Sequence, residues 1–218
     1  MSVLITGAST GIGKATAVKF LSEGFDVIGI DRDGSTLNDE FAAYNHIIVD
    51  INDYDNYPEL DDNIDILINN AGTQNEDDIK TNLISTIKFT EKYGVHPNIR
   101  SIVNIASTSA HSGAEFPEYA ASKGGLLAYT KNVAQRVAKF NATCNSISPG
   151  GVITNMNRHI LDDDDLYNYV LGETLLLKWA STKEIAEWVY FVSVVNKSMT
   201  GQDIIIDNGE LSKFNFVW

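Results

Sequence analysis

Cysteine is almost absent from the 218-residue chain, with Cys144 the single example. An intrachain disulfide is therefore excluded, and such sparse usage fits a reducing compartment. Cys144 lies in an apolar, strand-like run and reads as an inert buried thiol. Proline is also scarce, at four residues. No Pro/Gly-rich linker, low-complexity tract or internal repeat breaks the chain, so one domain over residues 1–218 is expected. Basic residues are outnumbered, 16 Lys+Arg against 29 Asp+Glu, for a formal net charge of -13. Such a surface repels phosphate backbones and anionic lipid, so neither nucleic acid nor a membrane is an expected partner. No apolar run approaches the length of a bilayer span. The opening "MSVLITGASTGIG" has no basic n-region and no small-residue cleavage signal. A cytoplasmic location is expected. No His/Cys/carboxylate cluster has metal-ligand spacing, so no metal is expected.

What is present is a regular alternation. The chain is 44% hydrophobic, enough for a sizeable core. Short β-branched runs occur at 2–6, 26–30, 46–50, 64–69, 100–106, 142–148 and 203–207. Helical patterns lie at about 12–23, ending at Gly24, and at about 76–93, 118–140 and 182–195. Strands apolar on both faces, alternating with helices, predict an α/β fold. Its mostly parallel, seven-stranded, doubly wound sheet is covered by helices on both sides. Ligands of such sheets bind beyond the carboxyl ends of the strands.

The first strand runs into "TGASTGIG". Gly7, Gly11 and Gly13 permit a sharp strand-to-helix turn, and Ser9, Thr10 and Ile12 fill the loop. Free amides at the start of the helix then point at an anion, normally a pyrophosphate, as in a Rossmann-type dinucleotide site. Asp31 ends the second strand about twenty residues later. Its carboxylate suits the hydroxyls of an adenosine ribose and opposes a 2′-phosphate. Arg32, beside it, can accept such a phosphate. The glycine loop itself holds no basic residue, so NAD is expected in preference to NADP.

Further along, "PEYAASKGG" sets Tyr119 four positions before Lys123, on one helix face. Alone, such a pair is ordinary surface. Its company changes that reading. The loop pattern TGxxxGxG, "VDIND" with Asp50 and Ile51, "NNAG" with Asn70, Ala71 and Gly72, "KTNLIS" with Asn82, "IVNIASTSA" with Ser107, "YAASK", "SPGGVITNM" with Pro149, Gly150, Ile153 and Thr154, and "TGQDIIIDNGE" follow one another. In that order they resemble the short-chain dehydrogenases/reductases, in their compact single-domain branch. The resemblance covers nearly the whole chain. It implies hydride transfer between NAD(H) and a secondary alcohol or ketone, with Tyr119 as general acid/base. A free tyrosine, with a pKa near 10, is a poor base at neutral pH. A cation about 4 Å away favours the phenolate by about 4 kcal/mol at an effective dielectric near 20. The resemblance gives that role to Lys123, together with a grip on the nicotinamide ribose. It implies that Ser107 polarises the substrate oxygen and that Asn82 positions a water linking the lysine to solvent.

Two departures from the family pattern stand out. Eleven residues separate Asn70 from Asn82, fewer than usual, so a more open cleft is expected. Ser107 precedes Tyr119 by twelve residues, and Ser109 offers a second hydroxyl. Ser107 is favoured because it directly follows the strand run. His111 reads as an exposed loop histidine. A short lid is expected at about 155–179. Its "LDDDDL" reads as a solvated helix start. Tyr167, Tyr169 and Trp179 either cover an apolar substrate or pack in the core. Two other functions compete: an NADPH-dependent 3-oxoacyl-carrier-protein reductase, and a dinucleotide-binding protein without catalysis. The acidic balance opposes an acidic carrier protein. The intact Asn82, Ser107, Tyr119 and Lys123 set opposes the second. The resemblance also implies a homodimer or homotetramer, built through the helices at 76–93 and 118–140 and the last strand. The apolar tail "FNFVW" would suit such an interface.

Overall fold

The computed structural model describes residues 1–60, 64–114 and 116–214. Strand β1 (Ser2–Thr6) leads into helix α1 (Gly11–Ser22), β2 (Asp26–Asp31), the single turn α2 (Leu37–Glu40) and β3 (Tyr44–Ile48). Then come β4 (Ile64–Asn69), a wide π-type turn at Ile79–Ser85 that continues as α3 (Thr86–Tyr93), and β5 (Ser101–Ile105). A short α4 (Ser109–Ser112) precedes the long α5 (Pro117–Val137) and β6 (Thr143–Pro149). The strand pair β7 (Val152–Ile153) and β8 (Ala180–Ser181) brackets α6 (Arg158–Leu161) and α7 (Asp164–Leu171). The described chain closes with α8 (Thr182–Tyr190), a second π-type turn at Phe191–Val195, and β9 (Asp203–Ile206).

Seven strands form one parallel sheet in the order β3-β2-β1-β4-β5-β6-β9. The order reverses between β1 and β4, where such sheets open a crevice at their carboxyl ends. One face is covered by α1 and α8 through Phe20, Leu21, Ile185 and Val189. The other is covered by α3 and α5 through Phe89, Tyr93, Val133 and Val137. Burial on both faces explains the uninterrupted apolar runs of the central strands. Cys144 sits in this second layer with no exposed surface, and burial pushes its thiol far up, so it is inert.

Boundaries differ from the sequence reading where side chains override pattern. Strand β3 starts two residues earlier than the apolar run at 46–50, because Tyr44 is the residue that buries its ring and Ile48 is 66% exposed. The expected helix at 76–93 begins only at Ile79, because the preceding residues fold around Asp78. The helix expected at 182–195 changes to the wider turn after Tyr190. Its start is fixed by a capping box, Ser181 with Glu184. Asp163 caps α7 by accepting from Leu166 N at 3.0 Å, with Asp164 and Asp165 in the first turn. The acidic run is thus a helix start, as its composition suggested. Of the "FNFVW" tail, Phe214 alone falls within the described residues. No helix among the described residues is long and apolar enough to cross a membrane, and none of their His, Cys, Asp and Glu side chains form a metal-holding group.

Candidate active site

A cavity of about 480 Å³ opens at the carboxyl ends of β1, β2, β4, β5 and β6. Its floor is the glycine loop. Gly7 takes a left-handed φ of +68°, and a Cβ on Gly13 would lie 2.0 Å from Gly7 O, so the loop and α1 meet at a contact closed to any side chain. The "NNAG" block braces this turn. Asn70 Nδ2 donates to Thr6 O (3.0 Å) and Gly7 O (3.1 Å), while Thr6 Oγ1 accepts from Asn70 N and Ala71 N, both at 3.0 Å. Thr10, at the N-cap of α1, gives no side-chain cap, which leaves the first-turn amides of α1 to an anion. Thr10, Gly11 and Ile12 line the cavity, whereas Ser9 and Gly13 do not.

Ser9 works one layer back. Its N–H donates to Asp31 Oδ2 (2.9 Å) and its hydroxyl to Asp33 O (2.9 Å). Asp33 N donates to Asp31 Oδ1 (3.2 Å), so both carboxylate oxygens are held by main-chain amides while Asp31 still faces the cavity. His46 Nε2 meets Asp33 O at 2.7 Å and props the same turn, a contact that the sequence did not reveal. Arg32, exposed, lines this end, as do Asp50 and Ile51. Asp50 Oδ1 accepts from Asn52 N at 2.7 Å, and the Ile51 carbonyl accepts from the buried Tyr57 hydroxyl.

At the opposite end, Pro117 opens α5 and brings Tyr119 and Lys123 to the cavity one turn apart. Lys123 is 5% exposed and donates to Ile105 O at 3.0 Å. Its Nζ lies 5.6 Å from the centre of the Tyr119 ring. An ammonium so close to the ring favours the phenolate over the phenol. Burial lowers the Lys123 ammonium from an ordinary 10.5 to about 8, and the Asp78 carboxylate pulls the other way. Ser107, just past β5, lines the cavity. Its hydroxyl accepts from Ser109 N (3.2 Å) and pairs with Ser109 Oγ (3.2 Å). Ser109 is buried behind it and does not line the cavity. Pro149, Gly150 and Thr154 close this end together with Ala71 and Gly72.

Several expectations need correction. Asn82 is fully buried. Its Oδ1 accepts from Thr73 N (2.8 Å), and its Nδ2 donates to Thr73 O (3.0 Å) and Ser122 Oγ (3.1 Å). The Asn82 side chain thus braces Thr73 and Ser122 and does not line the cavity. Ile153 is 46% exposed and does not line the cavity, because its strand turns that residue outward while Val152 and Thr154 face in. His111 is exposed as expected but lies in the short α4 and not in a loop, and its Nε2 meets Asp203 Oδ2 at 2.8 Å. Trp179 is buried edge-on against Tyr167, with ring centres 5.7 Å apart, and Tyr169 is 70% exposed, so packing explains the first two aromatics. Asn155, Met156 and Asn157 carry the lid's contribution to the wall. The short connection after Gly72 is a wall too, through Thr73, Glu76 and Asp77. No reading of the sequence singled out those three or Asp78. The unusual spacing before Asn82 was the one signal pointing to them.

Comparison with known proteins agrees with this geometry. Residues 1–165 match the family model for short chain dehydrogenases. The chain is 30% identical to the 3-oxoacyl-(acyl-carrier-protein) reductase FabG of Buchnera aphidicola subsp. Acyrthosiphon pisum (strain APS), over 95% of this chain and 96% of that one. Among solved structures it resembles a 4-hydroxyisoleucine dehydrogenase mutant complexed with NADH and succinate, with 26% identity, a TM-score of 0.86, and 99% and 100% of the two chains covered. It equally resembles a putative 2-deoxy-d-gluconate 3-dehydrogenase from Agrobacterium tumefaciens with bound NADP, at 26% identity and a TM-score of 0.87, over 97% and 96%. The chain belongs to the short chain dehydrogenase family. It is an NAD(P)-dependent oxidoreductase of that family, acting on an alcohol or ketone.

Proposed function

We propose that the protein moves a hydride between NAD(H) and a small, neutral secondary alcohol or ketone. The observation that carries the reaction type is the convergence of Ser107, Tyr119 and Lys123 on one cavity beside the braced glycine loop. A bound nicotinamide dinucleotide supplies the hydride acceptor or donor. The donor set fits it. The first-turn amides of α1 suit a pyrophosphate, Asp31 suits ribose hydroxyls, and the Lys123 ammonium suits the second ribose. Ser107 orients the substrate oxygen by hydrogen bonding. Tyr119 takes the carbinol proton in oxidation and returns it in reduction, and Lys123 favours the phenolate while it does so. Asp31 supports NAD over NADP, since its carboxylate is held by main-chain amides facing the cavity, where a negative charge opposes a 2′-phosphate. The acidic balance and the carboxylates of Glu76 and Asp77 at the wall support a neutral substrate. A homodimer or homotetramer is proposed with it. The exposed Trp188, Phe191 and Val195 at the end of α8 support a covered face there.

One observation favours a second reading, an NADPH-dependent reductase of acyl chains on carrier protein. Arg32 lines the cavity next to Asp31, and FabG is among the relatives. Steady-state rates with both cofactors, on a panel of neutral ketones and on an acetoacetyl thioester, separate the two. The expected result is higher kcat/KM with NADH and with a neutral ketone. A thioester preferred by more than about tenfold, about 1.4 kcal/mol, would install the second reading instead.

A further inference from the structure

The connection between Gly72 and Asn82 is short, and at its centre lies a carboxylate with no role in the reaction chemistry above. Asp78 is 1% exposed. Its Oδ1 accepts from Thr73 Oγ1 at 2.9 Å, and its Oδ2 from Asn75 N at 2.9 Å. Burying a carboxylate among neutral donors is costly unless a cation answers it. Lys123 is a cation close to this connection: its Nζ lies against Gly72, and the Asp78 charge opposes the effect of burial on that ammonium. The geometry brings the two segments together. A Cβ on Gly72 would sit 3.5 Å from Lys123 Nζ and 2.8 Å from Asn82 Oδ1. Thr73, the next residue, is clamped at both N and O by Asn82, and its hydroxyl is tied to Asp78. Asn82 reaches Ser122, whose hydroxyl donates to Tyr119 O at 2.7 Å. A continuous set of hydrogen bonds therefore runs from Asp78 to the helix turn that carries Tyr119 and Lys123.

We propose that Asp78 is a positioning residue of the reaction centre: it folds the short connection into a wall of the cavity and supplies the fixed negative charge facing Lys123. The proposal rests on the dehydrogenase reading of Tyr119 and Lys123 but concerns a residue outside that reading. Other titratable groups line the same cavity as the lysine. Tyr119 lies on its own helix, and Glu76 and Asp77 lie on the same connection but are exposed and better screened. Asp31, Asp50 and Arg32 stand at the far end of the cavity. Asp78 differs from all of them in being buried, so its charge acts through low-dielectric surroundings.

The test is a lysine titration that needs no turnover. The nucleotide-free protein is treated with trace acetic anhydride across a pH series, and acylation of Lys123 is followed by peptide mass spectrometry, with exposed Lys80 as internal reference. Asp78→Asn keeps shape and hydrogen-bonding capacity and removes the charge. The Lys123 midpoint should then fall by about half a pH unit or more while Lys80 stays. Thr73→Val removes the tether and leaves the charge, so Lys123 should titrate as in the parent. The pH profile of kcat/KM, which reports groups of the free enzyme, should shift toward acid in Asp78→Asn alone. An unmoved Lys123 midpoint in folded Asp78→Asn overturns the proposal. So does an equal shift in Thr73→Val. If neither Asp78→Asn nor Asp78→Ser folds, the carboxylate is a folding device and the proposal falls. A parent protein that oxidises no alcohol would sink the dehydrogenase reading, and the acylation series would still give its own answer.

Discussion

The two ends of the cavity are built on opposite principles. At the adenosine end the charges of Asp31, Arg32 and Asp50 stay in contact with water, and turn amides aim the carboxylates. Ser9 N, Asp33 N and Asn52 N do the aiming, each within a few residues of a strand end. At the reaction end the polar groups are buried: Lys123, Asn82, Ser107 and Asp78 are all less than a tenth exposed. Two of them are tied to distant segments, Asn82 to Ser122 forty positions away and Lys123 to Ile105 O eighteen away. Recognition of a large ligand tolerates hydrated charge because many contacts share the task. Proton transfer needs one cation desolvated and fixed, since a screened lysine would do little for a phenolate.

The hardest test of that contrast is at Tyr119. Tyr119→Phe removes one oxygen at the edge of the buried cluster and nothing from the adenosine end. Turnover should fall on the order of 100- to 10,000-fold. NADH affinity, measured by calorimetric titration, should stay close to that of the parent. A variant with near-normal turnover would break the assignment of Tyr119, and one that loses NADH binding would show the two ends to be coupled.

The reciprocal variant, Asp31→Ala, acts at the hydrated end. Charge-assisted hydrogen bonds to ribose hydroxyls contribute about 1.5–3 kcal/mol, so NADH binding should weaken by about 10- to 100-fold. With the carboxylate gone, Arg32 can meet a phosphate, so relative use of NADPH should rise. Turnover at saturating NADH should change little. A parent protein that already prefers NADPH would invert the reading of Asp31 and Arg32.

The two ends were also unequally legible in the sequence. Gly7, Gly11, Gly13 and Asp31 could be read because strand-to-helix turns impose fixed spacings, and Tyr119 and Lys123 because one helical turn does. Local backbone geometry is written in order along the chain. Roles that depend on burial and distant partners were not. Nothing in "NEDDIK" distinguishes Asp78 from Asp77, yet one is buried and the other faces solvent. Nothing in "KTNLIS" shows that the Asn82 side chain spans from Thr73 to Ser122. His111 reads as an exposed loop histidine; it is exposed, but its partner Asp203 lies 92 positions away. The same limit applies within the glycine loop, where Ser9 faces Asp31 and Asp33 and not the cavity.

The smallest expected effect is on stability, and its sign follows from burial. A lysine lowered from 10.5 to about 8 carries a penalty of about 3 kcal/mol in the folded protein at neutral pH. Lys123→Met removes that penalty and adds apolar packing, but leaves Ile105 O without its donor, which costs about 1–3 kcal/mol. The net gain should lie between about 0 and 2 kcal/mol, up to a few degrees in Tm for a chain of this size. The folded pKa lies below the unfolded one. Between about pH 8 and 10.5 the unfolded parent therefore binds more protons, and parent stability rises with pH across that window. The advantage of Lys123→Met should thus be largest below pH 8 and shrink steadily toward pH 10.5. Thermal unfolding of the nucleotide-free proteins at several pH values measures it. A difference between the two proteins that is indifferent to pH across that window would mean that the lysine is not desolvated as its surroundings demand, and the contrast between the two ends would fail at its central residue.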